Sequence, residues 1–569
     1  MSSSALSSAR EQKRLELENR ISEYSQKIIE TKRDINRLLL PVVLPPELLI
    51  KVFRYVAHNS IIGLTSSWLE SCTHVCHRWR EAALDAPELW CTIVLGNTST
   101  LDGTREMLAR SQQMPLVVRS HPRYTPLEEN PILHNEALDY VLRELPRIVV
   151  LDVSVSAYSM PSQGYPEDAL LMKELMFYSP NGIMQPTASG NQQLLSHLLE
   201  ANMPGLTSLE FHLPCMEWKH GVLRPALTHL TLSGTEKNPY FMIDDVLAIL
   251  DSLPLLETLE LRWALPISAS PDPDTPFISL PNLRELTICD TAESCAELLR
   301  QISLSPAIKI KLDCTYRTLQ SVNDVLRIIR LTGANLRRRN GVGENFASAI
   351  LPTIRTFTLC GIVTLDATQL RAWTTYHTID ELYNRIRQHS ETQFPDPLID
   401  IILRHGGRRH FPALHLVHAI PVEDIKSAVL HPSHEKTYQE HEALIHLLSN
   451  MPSLRELGIG SFAHYCIHDV LIHSDRELQR DQIHEGFILP NLSVLALSMV
   501  GIPPVYDGVD FLEDLENMFG IRNDIGGARK LEKLILRACQ QVADSDLKVF
   551  RPFANTVIRE QASEDTDSM

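Results

Sequence analysis

The alternation of apolar and polar residues divides this chain into three kinds of segment. From about Arg10 to Leu40, apolar residues recur every three or four positions on a charged background, which predicts a helix with one apolar seam. Between Leu44 and Trp90, shorter helical patterns follow one another closely. Beyond residue 96, short runs with a period of two alternate with helical patterns. We therefore expect an α/β protein with a helical amino-terminal part.

The predicted helix over residues 10–40 carries a heptad-like seam, which is typical of a coiled coil. The seam residues are Leu17, Ile21, Tyr24, Ile28, Ile35 and Leu38, with Arg14 and Thr31 as its polar interruptions. Because roughly three or four heptads make only a short coiled coil, three arrangements remain open. The seam pairs with a second copy, folds back onto the following helices, or belongs to one amphipathic helix that leads into them. The Ser-rich residues 1–9 and the acidic residues 561–569 are expected to be disordered.

The stretch from residue 42 to residue 95 predicts three short helices. Pro45 and Pro46 suit the first turn of a helix, where no amide donor is needed. A second helical pattern covers 68–79, and Pro87 ends the helical region. So small a unit can form only a thin core, yet it carries many large apolar side chains. The excess predicts a surface that binds a partner.

Four separated elements of this stretch agree in order and spacing with a known family. They are Leu44-Pro45-Pro46-Glu47, Phe53, the run from Val75 to Arg80 (VCHRWR) and Pro87-Glu88-Leu89-Trp90. Residues 42–95 thus resemble the F-box, most closely the F-box-like proteins abundant in mushroom-forming fungi. They depart from the family at the His58–Ser67 linker, which is longer and more polar than in its tightest members. The resemblance implies docking to the Skp-family adaptor of a cullin-type ubiquitin ligase. The adaptor-binding residues that it implies are Leu44, Pro45, Leu48, Val75, Cys76 and Trp79.

A leucine-x-x-leucine-x-leucine pattern, or a near relative of it, recurs through residues 96–560. The last two apolar residues of each copy alternate along a short strand, and the first closes the preceding turn. The copies begin at Ile148, Leu206, Leu227, Leu256, Leu283, Ile308, Ile354, Leu454, Leu492 and Leu531. With helical stretches between them, they resemble irregular leucine-rich repeats and predict an α/β solenoid with a parallel sheet. We expect a break or an insertion at residues 366–425.

Solenoids usually bind their ligands with the strand-lined concave face and the loops beside it. Two basic loops are candidates for contacts with a substrate protein. They contain Arg337, Arg338 and Arg339, and Arg408 and Arg409. For the loop with Arg337, Arg338 and Arg339, a solvated loop is the simpler interpretation.

Composition narrows the class of function. The formal net charge of −17 over 569 residues argues against a general nucleic-acid binder, which needs excess Lys and Arg. The chain has no apolar run of about 18 residues, the length that a membrane span needs. The amino terminus lacks the apolar core of a secretory signal. The ten cysteines often lie inside apolar runs, which suits reduced thiols. We expect a protein of the cytoplasm, the nucleus or both.

Clusters of His and Cys do not make a convincing site for catalysis or metal binding. Cys72, His74, Cys76 and His77 lack the second, distant pair of ligands that a structural zinc site commonly uses. Within 464–469 (HYCIHD), adjacent side chains point apart. None of the 23 histidines lies in a metalloprotease helix motif, and the chain lacks a nucleophile elbow and a phosphate-binding loop. We expect no enzyme, cofactor or metal; an active site within 366–425 is the weakest alternative.

Together these patterns predict the substrate-recognition subunit of a cullin-type (SCF) E3 ubiquitin ligase. Its F-box would dock the adaptor, and through it the cullin, while its solenoid would bind the target protein. The alternative is a non-catalytic interaction scaffold with a vestigial F-box that meets no ligase.

Overall fold

The structure is a computed structural model of the chain, which forms two compact units, Met1–Leu213 and Pro214–Met569. No helix among the described residues is long and apolar enough to cross a membrane. The described residues are 3–38, 44–62, 67–95, 100–120, 131–154, 164–178, 189–212, 225–234, 243–265, 278–305, 308–316, 321–322, 325, 353–362, 367–388, 395–405, 422–431, 446–460, 489–498, 505–506, 509–510, 513, 515–517, 519–520, 530–537 and 545–560.

The first unit begins with four helices. The first one starts several residues before the predicted start at Arg10, so part of the segment 1–9 that we expected to be disordered is helical. The next three follow the pattern predicted from Pro45 onward, and a short 3₁₀ helix, Pro87–Trp90, ends the segment. The helices are α1 (Ser3–Arg37), α2 (Pro46–Ile62), α3 (Ser67–Thr73) and α4 (His77–Leu84).

The described part of the first unit continues with five parallel strands, which pair in chain order from β1 to β5. The elements are β1 (Thr92–Leu95), α5 (Leu101–Arg110), β2 (Leu116–Ser120), α6 (Pro131–Leu142), β3 (Ile148–Ser154), β4 (Glu174–Tyr178), α7 (Ser189–Glu200) and β5 (Ser208–His212). The repeat starts at Ile148 and Leu206 mark β3 and β5. Strand β4 was missed because Met172 stands at the first leucine position of the repeat pattern that leads into it. Leu175 and Phe177 keep the spacing of that pattern.

The second unit is built on a larger sheet. Its elements are β6 (His229–Ser233), α8 (Ile243–Asp251), β7 (Thr258–Arg262), β8 (Ile278–Ser279), β9 (Glu285–Thr291), α9 (Ala292–Gln301), β10 (Ile302–Ser303), β11 (Lys309–Tyr316), β12 (Thr356–Ile362), β13 (Ala367–Trp373), α10 (Ile379–Gln388), β14 (Ile399–His405), β15 (Ser427–His431), β16 (Glu456–Ile459), β17 (Val494–Ser498), β18 (Val505–Tyr506), β19 (Val509–Asp510), β20 (Leu531–Arg537) and β21 (Ala554–Glu560). The pairings give the order β6-β7-β9-β11-β14-β13-β12-β15-β16-β17-β20-β21.

The repeat leucines lie side by side in this sheet. Leu230 is directly opposite Leu259, which is opposite Leu286, and all three are buried. The alternate residues of the same strands are half-buried or exposed, because they point to the other face of the sheet. The expectation of an α/β protein with a large, mostly parallel sheet is therefore confirmed.

Strand β13 interrupts the parallel order. It is antiparallel to both of its neighbours, β12 and β14, whereas the other neighbouring strands that the structure describes in this sheet pair in parallel. Strand β12, which follows β11 in the chain, is therefore separated from β11 in the sheet by β13 and β14. The chain returns from β12 through β13, so that β14 pairs with β11. This reversal over 356–405 overlaps the interruption that we expected at 366–425.

Candidate functional site

Helix α2 carries two apolar stripes. With about 100° of rotation per residue, Leu49 and Phe53 lie on one side and Leu48, Val52 and Tyr55 lie roughly 100° away from them. Leu49 and Phe53 are fully buried. The second stripe does not belong to the core, so the two stripes have different roles.

The buried stripe of α2 holds the three-helix segment (residues 44–90) together. Its core combines Leu49 and Phe53 with Trp68, Cys72 and Trp90, and the rings of Trp68 and Trp90 meet edge to face at 5.6 Å. The indole N–H of Trp90 donates to the carbonyl of Ala83 at 2.8 Å, so a polar group in the core is satisfied. Burial raises the pKa of the Cys72 thiol, which is consistent with core packing.

The start of α2 is fixed by its flanking residues. The carbonyl of Pro45 accepts hydrogen bonds from the amides of Leu48 and Leu49, at 3.0 and 3.1 Å. Arg78 on α4 donates to the carbonyl of Leu44 at 2.8 Å. The beginning of α2 and the beginning of α4 are therefore tied together.

The second stripe of α2 is exposed to solvent. The exposed fractions are 44% for Leu48, 44% for Val52 and 69% for Tyr55, and Val75 before α4 is 52% exposed. Large apolar side chains that stay exposed in this way are typical of surfaces at which proteins bind partners. We call Leu48, Val52, Tyr55 and Val75 the exposed apolar set.

The six residues that the F-box resemblance implies for adaptor binding differ in burial. Pro45, Leu48 and Val75 are exposed and available to a partner. Leu44 and Trp79 instead pack against the core of the three-helix segment, with the Trp79 ring 5.2 Å from that of Phe53. Cys76 is half-buried at the N-cap of α4.

Sequence reasoning missed Val52 and Tyr55 as surface residues. Their spacing from Leu48, four and then seven positions, was the available signal, because such residues share one face of a helix. The signal was hidden since the core residues of α2 show nearly the same spacing.

The three-helix segment is attached to the strands that follow it. The guanidinium of Arg110 on α5 lies 4.4 Å from the centre of the Trp90 ring, and Met107 packs against the same core. Buried Arg147 donates to the Ser111 hydroxyl at 3.0 Å and to the Met114 carbonyl at 2.9 Å. The end of α5 is thereby tied to the start of β3, so the segment is held in the first unit.

One row of side chains across the larger sheet changes character halfway. The row consists of residues that are directly opposite one another in adjacent strands, so they share a face. From β7 to β12 it contains Glu260, Thr287, Lys311, Asp400, Arg371 and Thr358, and from β15 to β20 it contains Val429, Gly458, Ala496 and Ile535. The first part is polar and the second part is apolar or small.

The polar part of this face is open. Arg404 donates to both carboxylate oxygens of Asp313, at 2.6 and 2.7 Å, and Lys309 pairs with Glu285 at 2.9 Å. Lys311 is exposed beside them. We call this face of β6, β7, β9, β11 and β14 the open polar face; its mixture of paired charges suits a hydrated, polar partner surface.

Helix α10 covers the apolar part. Ile379, Leu382 and Tyr383 pack on Val429, Ala496 and Ile535, and each of these side chains is at most 5% exposed. Gly458 leaves room for the Tyr383 ring, because a Cβ atom there would lie 2.9 Å from its Cε2. The covered strands are therefore buried on both faces.

Polar contacts fix the start of α10. Thr378 and Glu381 form a reciprocal cap, in which each side chain accepts from the backbone amide of the other. Asp380 pairs with Lys533 at 2.8 Å and with Arg537 at 2.6 Å, both on β20. Glu456 on β16 accepts from the Ile379 amide at 2.9 Å and from the Tyr376 hydroxyl.

His431 lies under this helix. Its Nε2 is 3.2 Å from the Tyr383 hydroxyl, and the Arg537 guanidinium lies 4.0 Å from the centre of the same Tyr383 ring. Burial, with help from the charge of Arg537, lowers the pKa of His431 to about 4. The imidazole is therefore neutral at neutral pH.

The candidate substrate loops cannot be placed in this way. Arg337, Arg338 and Arg339 lie outside the described residues, as do Arg408 and Arg409 and the 464–469 cluster.

A family model described as F-box-like matches residues 42–96, which confirms the prediction for the three-helix segment. A search of the curated proteins finds no match for the chain. The likenesses to leucine-rich repeats and to fungal members stay predictions.

Proposed function

We propose that this chain is the substrate-recognition subunit of a cullin-type ubiquitin ligase. The F-box-like domain at 42–96 docks a Skp-family adaptor, which links the chain to the cullin. The strands that follow, which we interpret as an irregular leucine-rich-repeat-like solenoid, bind the target protein.

The exposed apolar set carries this proposal. An F-box-like domain that served only as a structural element would gain nothing by keeping Leu48, Val52 and Tyr55 in water, since each apolar Å² left exposed forgoes about 25 cal/mol. Apolar anchors at the centre of an interface commonly contribute about 2 kcal/mol or more each. Pro45 adds a rigid helix start beside the same stripe.

The open polar face is the proposed contact for the target protein. It is presented by neighbouring parallel strands, so its side chains form a regular array along the sheet. The apolar face of β15, β16, β17 and β20 is closed to a target because α10 occupies it. Loops containing Arg337–Arg339 and Arg408–Arg409 remain further candidates.

The chain itself has no catalytic role in this proposal. Ubiquitin transfer belongs to other subunits, and the chain binds both the adaptor and the target in the cytoplasm, the nucleus or both. Within the first unit, the contact of Arg110 on α5 with the Trp90 ring attaches the docking segment to the elements that follow it.

The test is binding to purified components. The full chain is mixed with a Skp-family adaptor and then with adaptor and cullin, and complex formation is followed by co-elution and by calorimetry. We expect a one-to-one complex with the adaptor that also retains the cullin. A folded chain that binds no adaptor would overturn the ligase assignment and leave the scaffold interpretation.

A further inference from the structure

The large apolar side chains that the structure describes from Leu15 to Leu38, in α1 and just beyond its end, lie in solvent. Their exposed fractions run from 44% for Ile29 to 84% for Leu38. Those that follow the heptad seam are Leu17, Ile21, Tyr24, Ile28, Ile35 and Leu38. A helix with such a seam is stable in water chiefly when a partner covers it.

The chain's own F-box-like domain does not cover the seam. Its core is built from α2, α3, α4 and the residues 86–90, with Met107 packed against it, and it includes none of the α1 side chains that the structure describes. The seam has the period of a coiled coil, so its natural partner is another helix with the same period. A second copy of α1 supplies one.

A parallel pair of α1 helices is a poor match. Parallel pairing brings each seam residue against itself, so Arg14 would face Arg14 of the second copy inside the seam. The contacts between charged residues beside the seam cancel. Lys13 would attract Glu18 of the second copy, but Lys27 would repel Lys32 of the second copy.

An antiparallel pair centred on residue 26 is a better match. Tyr24 then faces Ile28 of the second copy, and Leu17 faces Ile35. Arg14 lies near the end of the pair against Leu38, where its charged group can reach water.

The flanking charges favour the same antiparallel register. Arg20 lies beside Asp34 of the second copy and Glu18 lies beside Lys32, and symmetry makes each of these attractive contacts twice. The single repulsive contact is between the two copies of Lys27. All of these charged side chains are exposed on the surface of the helix.

We propose that α1 forms an antiparallel homodimeric coiled coil through this seam, in the register that pairs Tyr24 with Ile28. With a rise of about 1.5 Å per residue, the two copies of Leu38 are roughly 36 Å apart. The two chains therefore continue toward their F-box-like domains from opposite ends of the pair. This inference does not depend on the proposed ligase function.

Two adjacent isoleucines provide a matched test of the seam. Ile28 lies on it and Ile29 lies beside it, with exposed fractions of 56% and 44%. Sedimentation of the full chain over a dilution series should show a dimer for the unchanged chain and for Ile29→Asp. Ile28→Asp should weaken dimerisation at least about 100-fold, since it places charges in both central layers. A monomeric unchanged chain, or equal loss in both variants, would overturn the proposal.

Disulfide trapping in the full chain tests the orientation. Chains carrying Tyr24→Cys and Ile28→Cys are oxidised separately and as a mixture, and the cross-links are mapped by mass spectrometry. The antiparallel register predicts a 24-to-28 link between chains in the mixture only. Links between identical positions in the separate samples, or no 24-to-28 link in the mixture, would contradict it.

Discussion

Replacing Leu382 with alanine tests whether α10 closes the apolar part of the sheet. Leu382 is 1% exposed and packs with Ile379 and Tyr383 over β15, β17 and β20. The change removes one buried methine and two buried methyl groups, each worth about 0.8 kcal/mol, and leaves a cavity. Because α10 lies at the surface and can settle into part of that cavity, we expect a loss of about 2–3 kcal/mol. The loss applies to the docking of α10 rather than to the whole sheet.

Hydrogen exchange of the α10 amides measures this loss directly. A decrease of 2–3 kcal/mol in the free energy of local opening corresponds to roughly 30- to 150-fold faster exchange. Leu255→Ala is the matched control: Leu255 belongs to the same unit and is 50% exposed, so its truncation should change exchange of α10 little. Unchanged exchange of α10 in Leu382→Ala would refute the conclusion that this helix covers the sheet.

Three further changes test individual contacts. The pKa of His431 is about 4 in the folded chain against an ordinary 6.5, so the unfolded chain binds an extra proton below pH 6.5. Thermal melting should therefore show stability falling from pH 6.5 toward pH 4, by about 2 kcal/mol at pH 5. The variant His431→Gln should remove this part of the pH dependence. Gly458→Val should crowd the Tyr383 ring and cost about 1–3 kcal/mol by denaturant unfolding, whereas Gly458→Ala should cost less because the end of that ring can shift. Arg147→Met should leave the Ser111 hydroxyl and the Met114 carbonyl without their donor and lower stability by about 2–4 kcal/mol; a change below 0.5 kcal/mol would contradict the anchoring role.

The strands were predictable where leucine occupies the repeat positions. Leu230, Leu259 and Leu286 were expected in neighbouring parallel strands and lie opposite one another. Strand β15 was missed because Ala428 stands where the pattern has leucine, although Ile425 and Leu430 keep the spacing. A repeat position needs a side chain that can be buried, and this side chain need not be leucine.

The covering of the sheet by α10 left a signal that the repeat pattern did not use. The strands under this helix read SAVLH, ELGI, VLALS and LEKLILR, with small or apolar residues on both faces. Strands that alternate apolar and polar residues are half-covered, whereas nearly continuous apolar runs indicate burial on both sides. The identity of the covering helix depends on long-range contacts such as Asp380 with Arg537, which no local pattern contains.

The residues that the F-box resemblance implies for adaptor binding could be predicted only as a group, without their division into exposed and buried members. Leu44 and Leu48 are one helical turn apart in sequence, yet Leu44 packs against the core and Leu48 is exposed. The difference depends on where Trp79 and Arg78 of α4 lie, and therefore on the folded three-helix segment.

The most direct test of the account is adaptor binding by a double variant of the exposed apolar set. Leu48→Ala with Tyr55→Ala should weaken binding to a Skp-family adaptor by about 30-fold or more, a little over 2 kcal/mol, and leave thermal melting unchanged because neither side chain is in the core. Lys51→Ala with Arg54→Ala, exposed on the polar side of the same helix, is the control and should bind within about threefold of the unchanged chain. If the apolar double variant binds the adaptor as tightly as the unchanged chain does, the exposed stripe of α2 is not the docking surface and the ligase assignment loses its support.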